Sequence, residues 1–159
     1  PAILFIPLYA QIRTLGLADS LGGLIAAYPS FTIPFVTWLL MGYFESIPIE
    51  LEEAAMIDGA TRFGAFRRVI LPLSAPGVLA AGLYAFTQSW NEFLYALVFI
   101  TNVKLRTLPV GLASFITGDV YGWGYLMAGA VLTTLPVIVA YIYLQKYMVE
   151  GLTAGSVKG

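Results

Sequence analysis

The chain has 159 residues and a formal net charge of −1; it is 59% hydrophobic, only 11% charged, and its mean hydropathy is +0.84. A soluble domain carries about 25% charged residues, so lipid is the expected solvent, and the charge balance offers nothing to nucleic acid. Cysteine and histidine are both absent, which excludes disulfides, thiolate nucleophiles, imidazole bases and the usual zinc ligands, so no metal site is expected.

Pro1 opens into an apolar run with no cationic flank, the pattern of a chain cut inside a longer protein and not of a signal peptide. Residues 2–12 are apolar but supply only about half of the roughly 20 residues a transmembrane helix needs, so they are expected to be a partial span. After a short polar connection at 13–20, residues 21–44 carry no charge and are long enough to cross a bilayer, with kinks predicted at Pro29 and Pro34. Residues 45–72 gather five acids and three arginines, too polar for lipid. The apolar stretch 73–103 holds one charge, Glu92, and predicts a span over about 76–100. Residues 104–120 form a connection with turn signals at Thr107-Leu108-Pro109 and Gly118-Asp119. A last span is predicted over about 121–145, with Tyr121, Trp123 and Tyr125 at one end and Tyr141, Tyr143 and Tyr147 at the other, where amphipathic rings sit at membrane interfaces. The apolar runs are continuous and long, so strands are not expected. The fold class is all-α, a polytopic transmembrane bundle.

Such a layout puts 45–72 and the C-terminal tail on one side, and 13–20 and 104–120 on the other. Arg62, Arg67, Arg68, Lys146 and Lys158 against Arg13, Lys104 and Arg106 favour the first side as cytoplasmic.

Within 45–72, Pro48 is suited to start a helix, with Glu50, Glu52 and Glu53 in its first turns where the dipole favours anions. Asp58-Gly59 is a stop signal, and Thr61 can cap a second helix over 62–70, which should end before Pro72. Physics alone favours an amphipathic helix-turn-helix on the membrane surface. Glu53-Ala54-Ala55-Met56-Ile57-Asp58-Gly59-Ala60, followed at a distance by Val69-Ile70-Leu71-Pro72-Leu73, closely resembles the EAA loop of ABC importer permease subunits, with Val69 where that family usually has Ile. Trp90-Asn91-Glu92-Phe93 and the tail 151–159 resemble the maltose-type carbohydrate permeases. The resemblance implies a core of six helices, of which this chain would lack the first two and much of the third.

It also implies a role for the loop. Glu53, Ala54, Ala55, Asp58, Gly59, Ala60, Leu71 and Pro72 would form a cytoplasmic coupling element docking on an ATP-binding subunit, with Glu53 facing a basic residue there. Thr153, Ala154, Gly155 and Lys158 in the tail would contact the same subunits, although this tail is small and polar enough to be disordered on its own. The implied partners are a second permease, two ATP-binding subunits, an extracytoplasmic substrate-binding protein and the bilayer of a bacterial inner membrane. No Walker-type G-x-x-x-x-G-K-[ST] occurs, so this chain is expected to hold no cofactor and catalyse nothing, with ATP and Mg on a partner.

Glu92 lies in an apolar run, where insertion scales charge an acid about 2.5–3.5 kcal/mol at the helix centre. Trp90, Asn91 and Glu92 would border the pathway or the seam with a second permease; the alternative is a helix-packing hydrogen bond, or a position for Glu92 shallower than it looks. A secondary ion-coupled transporter or an intramembrane enzyme using Glu92 is the rival reading. It lacks a second acid, a base, or any account of the 45–72 loop.

Overall fold

The computed structural model describes residues 5–117 and 120–156, of which 117, 120, 121 and 147–156 by backbone alone. Its elements are α1 (Phe5–Thr14), α2 (Leu21–Ala27), α3 (Pro29–Glu45), α4 (Glu50–Ile57), α5 (Arg62–Ala65), a π turn (Phe66–Ile70), α6 (Leu71–Leu73), α7 (Ala75–Trp90), α8 (Leu94–Phe99), a 3-10 turn (Val103–Leu105), α9 (Leu108–Ala113), strands β1 (Ile116–Thr117) and β2 (Val120–Tyr121), and α10 (Trp123–Ser156). The contacts divide these residues into two units, 1–33 with 87–138 and 34–86 with 139–159.

Leu21–Glu45 and Trp123–Lys146 are long and apolar enough to cross a membrane, and Arg62–Leu73 with Ala75–Trp90 forms a third candidate bent by 67°. Pro29 stands at the joint of α2 and α3, where its fixed φ suits a first helical position, and Pro34 is carried inside α3 without ending it. Only 11% and 6% of the apolar stretches of these first two spans are buried within the chain. Ile25, Trp38, Val131, Leu132 and Tyr143 all present more than half of their surface. In water such side chains would each forgo about 1.5–3 kcal/mol; lipid or neighbouring subunits must cover them.

Several local expectations are corrected. The stretch 76–100 is not one helix, because α7 ends at Trp90 and α8 starts at Leu94. The helix over 62–70 does not stop before Pro72: the Leu71 amide bonds back to Phe66 through the π turn, and the chain runs helically through Leu73. That wider turn shifts the register just ahead of the proline ring, which the ordinary α ladder would meet as a clash. Thr107-Leu108-Pro109 is the start of α9, with Pro109 in its first turn, and no turn. Against the expectation of no strands, β1 and β2 form a two-residue antiparallel pair, Ile116 opposite Tyr121 and Thr117 opposite Val120. Gly118-Asp119 lies outside the described residues.

In the first unit, Ile12, Leu24, Ala27, Tyr95, Phe99, Ile100 and Val110 form the buried core. Phe5 meets Tyr95 edge-on at 4.5 Å and Tyr9 lies 5.2 Å from Phe99, so α8 is held by rings from α1. Ser30 and Tyr95 share a hydroxyl hydrogen bond of 3.3 Å. The Asp19 carboxylate accepts the Thr101 and Asn102 amides at 2.8 and 2.9 Å, tying the connection after α1 to the one after α8. In the second unit α3 packs on α7. Phe35 stacks on Tyr84 at 4.2 Å, and a Cβ on Gly77 would run into the Tyr43 ring, so only glycine allows this approach.

Candidate functional site

The 45–72 loop folds as two short helices joined by a closed turn. No side chain caps α4; its first turn carries Glu50, Glu52 and Glu53 where the helix dipole favours anions, and the Leu51, Glu52 and Glu53 amides bond back to the Pro48 and Ile49 carbonyls. At its end Gly59 takes φ +88, the Ala60 amide reaches the Ala55 carbonyl and the Gly59 amide the Met56 carbonyl, both at 3.0 Å. This is a Schellman closure, and it accounts for the glycine. Thr61 then caps α5, its hydroxyl accepting the Gly64 amide at 3.1 Å. Arg62 Nε donates to Glu52 Oε1 at 3.2 Å across the turn; with the arginine largely in solvent the pair is worth about 0–1 kcal/mol and mainly sets orientation.

This geometry sorts the loop residues onto two faces. Glu50, Glu53, Ala54 and Ile57 share the exposed side of α4, with Ile57 86% exposed. Ala55, Asp58, Gly59 and Ala60 line a cleft of about 240 Å³ against Gly64, Ala65, Arg68 and Val69 of the second helix. A second hollow of about 760 Å³ lies between Phe44, Pro48, Ile49, Arg62 and Phe63. Glu53 makes no ion pair within the described residues. Leu71 and Pro72 lie in the last turn before the bend, both exposed.

At the bend stands Ser74, fully buried, its hydroxyl donating to Ile70 O at 2.6 Å while its amide uses the same carbonyl at 2.8 Å. The sequence reading passed it over, although a serine between Leu-Pro-Leu and Ala-Pro is a visible break signal. Asp19 was passed over too, a lone acid in a short connection whose partners lie 82 and 83 residues away.

Trp90, Asn91 and Glu92 build the break between α7 and α8. Trp90 Nε1 donates to the Thr133 carbonyl of α10 at 2.9 Å. Asn91 Nδ2 donates to Thr87 O at 2.9 Å, a carbonyl at the end of α7 that also accepts the Asn91 amide at 3.1 Å. Both oxygens of Glu92 accept amides of α8, Tyr95 at 2.8 Å and Ala96 at 3.0 Å. An acid in an apolar run is thus matched by two charge-assisted hydrogen bonds at a helix start, to amides three and four residues on. These three residues belong to the first unit and the loop residues to the second. Thr153, Ala154 and Gly155 fall on the last turns of α10, whose backbone stays helical through Ser156, and Lys158 lies outside the described residues. No group of three metal-ligating side chains occurs among the described residues.

Comparison with known proteins completes the picture. The family model described as "Binding-protein-dependent transport system inner membrane component" matches residues 1–153. The chain is 45% identical over 156 residues to the sulfoquinovosyl glycerol transport system permease protein SmoH of Agrobacterium fabrum, covering 98% of this chain and 55% of that protein. It is 42% identical over 154 residues to the trehalose/maltose transport system permease protein MalG of Thermococcus litoralis, covering 96% and 55%. It thus spans about half the length of the curated relatives it matches. Among solved structures, a chain of a bacterial ABC transporter involved in the import of the acidic polysaccharide alginate superposes with a TM-score of 0.64 at 30% identity, covering 89% of this chain and 55% of that one.

Proposed function

The chain belongs to the family of inner membrane components of binding-protein-dependent transport systems, and from this we propose that it is the C-terminal portion of a membrane-spanning permease subunit of an ATP-driven importer for a carbohydrate or related solute. The solute class rests on the relatives, whose names concern sulfoquinovosyl glycerol, trehalose and maltose, and alginate. The observation that carries the mechanism is the 45–72 loop: a short helix locked by Gly59, with Glu53, Ala54 and Ile57 exposed on one face. That face suits a docking contact on a cytoplasmic ATP-binding subunit, an apolar anchor beside an unpaired acid. In this reading two such subunits hold ATP and Mg, a second permease completes the pathway, an extracytoplasmic binding protein delivers the solute, and the assembly sits in the bacterial inner membrane.

The bend at Ser74 supplies the transmission. A push on α4 and α5 reaches α7 through one buried serine and no loose loop, so closure of the ATP-binding subunits would rock a membrane helix, a rigid-body form of alternating access. The test is Glu53→Lys in the full-length permease, assembled with its partners in proteoliposomes. Removing one side of a desolvated ion pair costs several kcal/mol, so uptake and substrate-stimulated ATPase should fall about tenfold or more, with the complex still assembled. Reversing the charge of the facing basic residue should restore part of both. Normal uptake with full ATPase stimulation in the variant would refute the coupling role.

A further inference from the structure

A slot of about 420 Å³ in the first unit, within the range of small-ligand sites, has no part in the coupling loop. Its wall is mostly apolar, formed by Leu24, Ile25, Tyr28, Trp90 and Leu108, and its rim carries Arg106 and Thr107. One polar group there is unsatisfied and one charge is unpaired among the described residues. Thr107 Oγ1 is buried, has no hydrogen-bond partner among the described residues, and does not cap α9 although Thr107 occupies the capping position. Arg106 makes no ion pair among the described residues. The position along the chain fixes the level of the slot: Leu21, on its wall, is the first residue of one span and Trp90 the last of another, while Arg106 and Thr107 follow outside any span. It therefore opens where hydrocarbon meets headgroups.

We propose that this slot holds one glycerophospholipid, with an acyl chain along the apolar wall and the phosphodiester on the Arg106 guanidinium and the Thr107 hydroxyl. The guanidinium fork matches phosphate oxygens, and the hydroxyl gains the partner the fold denies it. A free phosphate would leave the wall bare. A sugar would find polar groups on Tyr28, Ser89, Arg106 and Thr107, but it would leave most of its hydroxyls against Leu21, Leu24, Ile25 and Leu108.

The test is native mass spectrometry of the full-length permease in its assembled transporter, delipidated and titrated with phosphatidylglycerol. Wild type should retain one phosphatidylglycerol per copy of this permease that Arg106→Gln and Thr107→Val each weaken about tenfold, the scale of one lost charge-assisted hydrogen bond. Ile25→Trp, at an exposed residue of the wall, should exclude it by filling the slot, and Arg106→Lys should bind better than Arg106→Gln. Diacylglycerol, with the chains and no phosphate, and glycerol 3-phosphate, with the phosphate and no chains, should each compete at least tenfold less well. Equal retention by all variants, tight binding of glycerol 3-phosphate alone, or loss of the site because a second permease covers it in the assembled transporter would overturn the proposal.

Discussion

Gly59 and Asp19 both sit at positive φ, +88 and +51, for different reasons. At Gly59 a Cβ would meet nothing within 4 Å, so the demand for glycine is one of backbone and not of space. Gly59→Val should therefore cost about 1–2 kcal/mol by placing a branched residue in the left-handed region. That is too little to stop the spans inserting but enough to misdirect α4. In the full-length permease, membrane levels by immunoblot should stay normal while uptake falls, and Gly59→Asn, whose side chain tolerates that region, should be mild. Asp19 is held by what its carboxylate binds. The amides of Asn102 and Thr101 lower its pKa below the ordinary aspartate value of 3.8, so the tie contributes at neutral pH and is lost only as pH falls through that lowered value. Asp19→Ala should expose the Thr101 and Asn102 amides to faster hydrogen exchange at pH 7, whereas Asp19→Asn, with an oxygen still in place, should change them less.

At the scale of elements the break between α7 and α8 is the decisive feature. Its residues are exactly those singled out from the sequence, yet their task in the fold is to end one helix and begin another. Glu92→Gln keeps one acceptor oxygen where two amides need one each, so it should destabilise the protein by about 1–3 kcal/mol, the cost of one orphaned buried donor, and Glu92→Ala should cost more. Transport by Glu92→Gln should persist when measured below its melting temperature. Thermal melting in detergent together with an uptake assay reads both; loss of transport at unchanged stability would point to an ionic role instead. The π turn before Pro72 is a second element-level device, because it lets the helix run on to Ser74 and deliver the bend there.

At the scale of the whole molecule the question is orientation. The chain has no cysteine, so single-cysteine probes at Ala60 and Ser114 report it cleanly. With an impermeant reagent on intact cells, Ser114→Cys should label and Ala60→Cys should not, and both should label after permeabilisation. The reverse pattern would overturn the cation-based topology and the coupling reading with it. The length of α10 belongs here as well. At about 1.5 Å per residue its 34 residues reach about 51 Å, against a hydrocarbon core of about 30 Å, so its last turns extend beyond lipid on one side.

Features encoded within a few neighbouring residues were legible from sequence. Charge-free runs are long enough to cross a bilayer whatever packs on them, Gly59 closes α4 because its own backbone must turn left-handed, and Thr61 caps α5 because its hydroxyl reaches only three residues on. The grouping of Glu53, Ala54 and Ile57 on one exposed face came from the structure, although it accords with helical periodicity. What required the tertiary structure is every feature whose partner lies far along the chain. The Asp19 tie spans more than eighty residues, Trp90 finds its acceptor on α10, and α8 is held by rings from α1. Glu92 is the local exception, its oxygens taken by amides only three and four residues on; a hydrophobicity pattern records which residues avoid water and not where, inside the apolar run 73–103, one helix ends and the next begins.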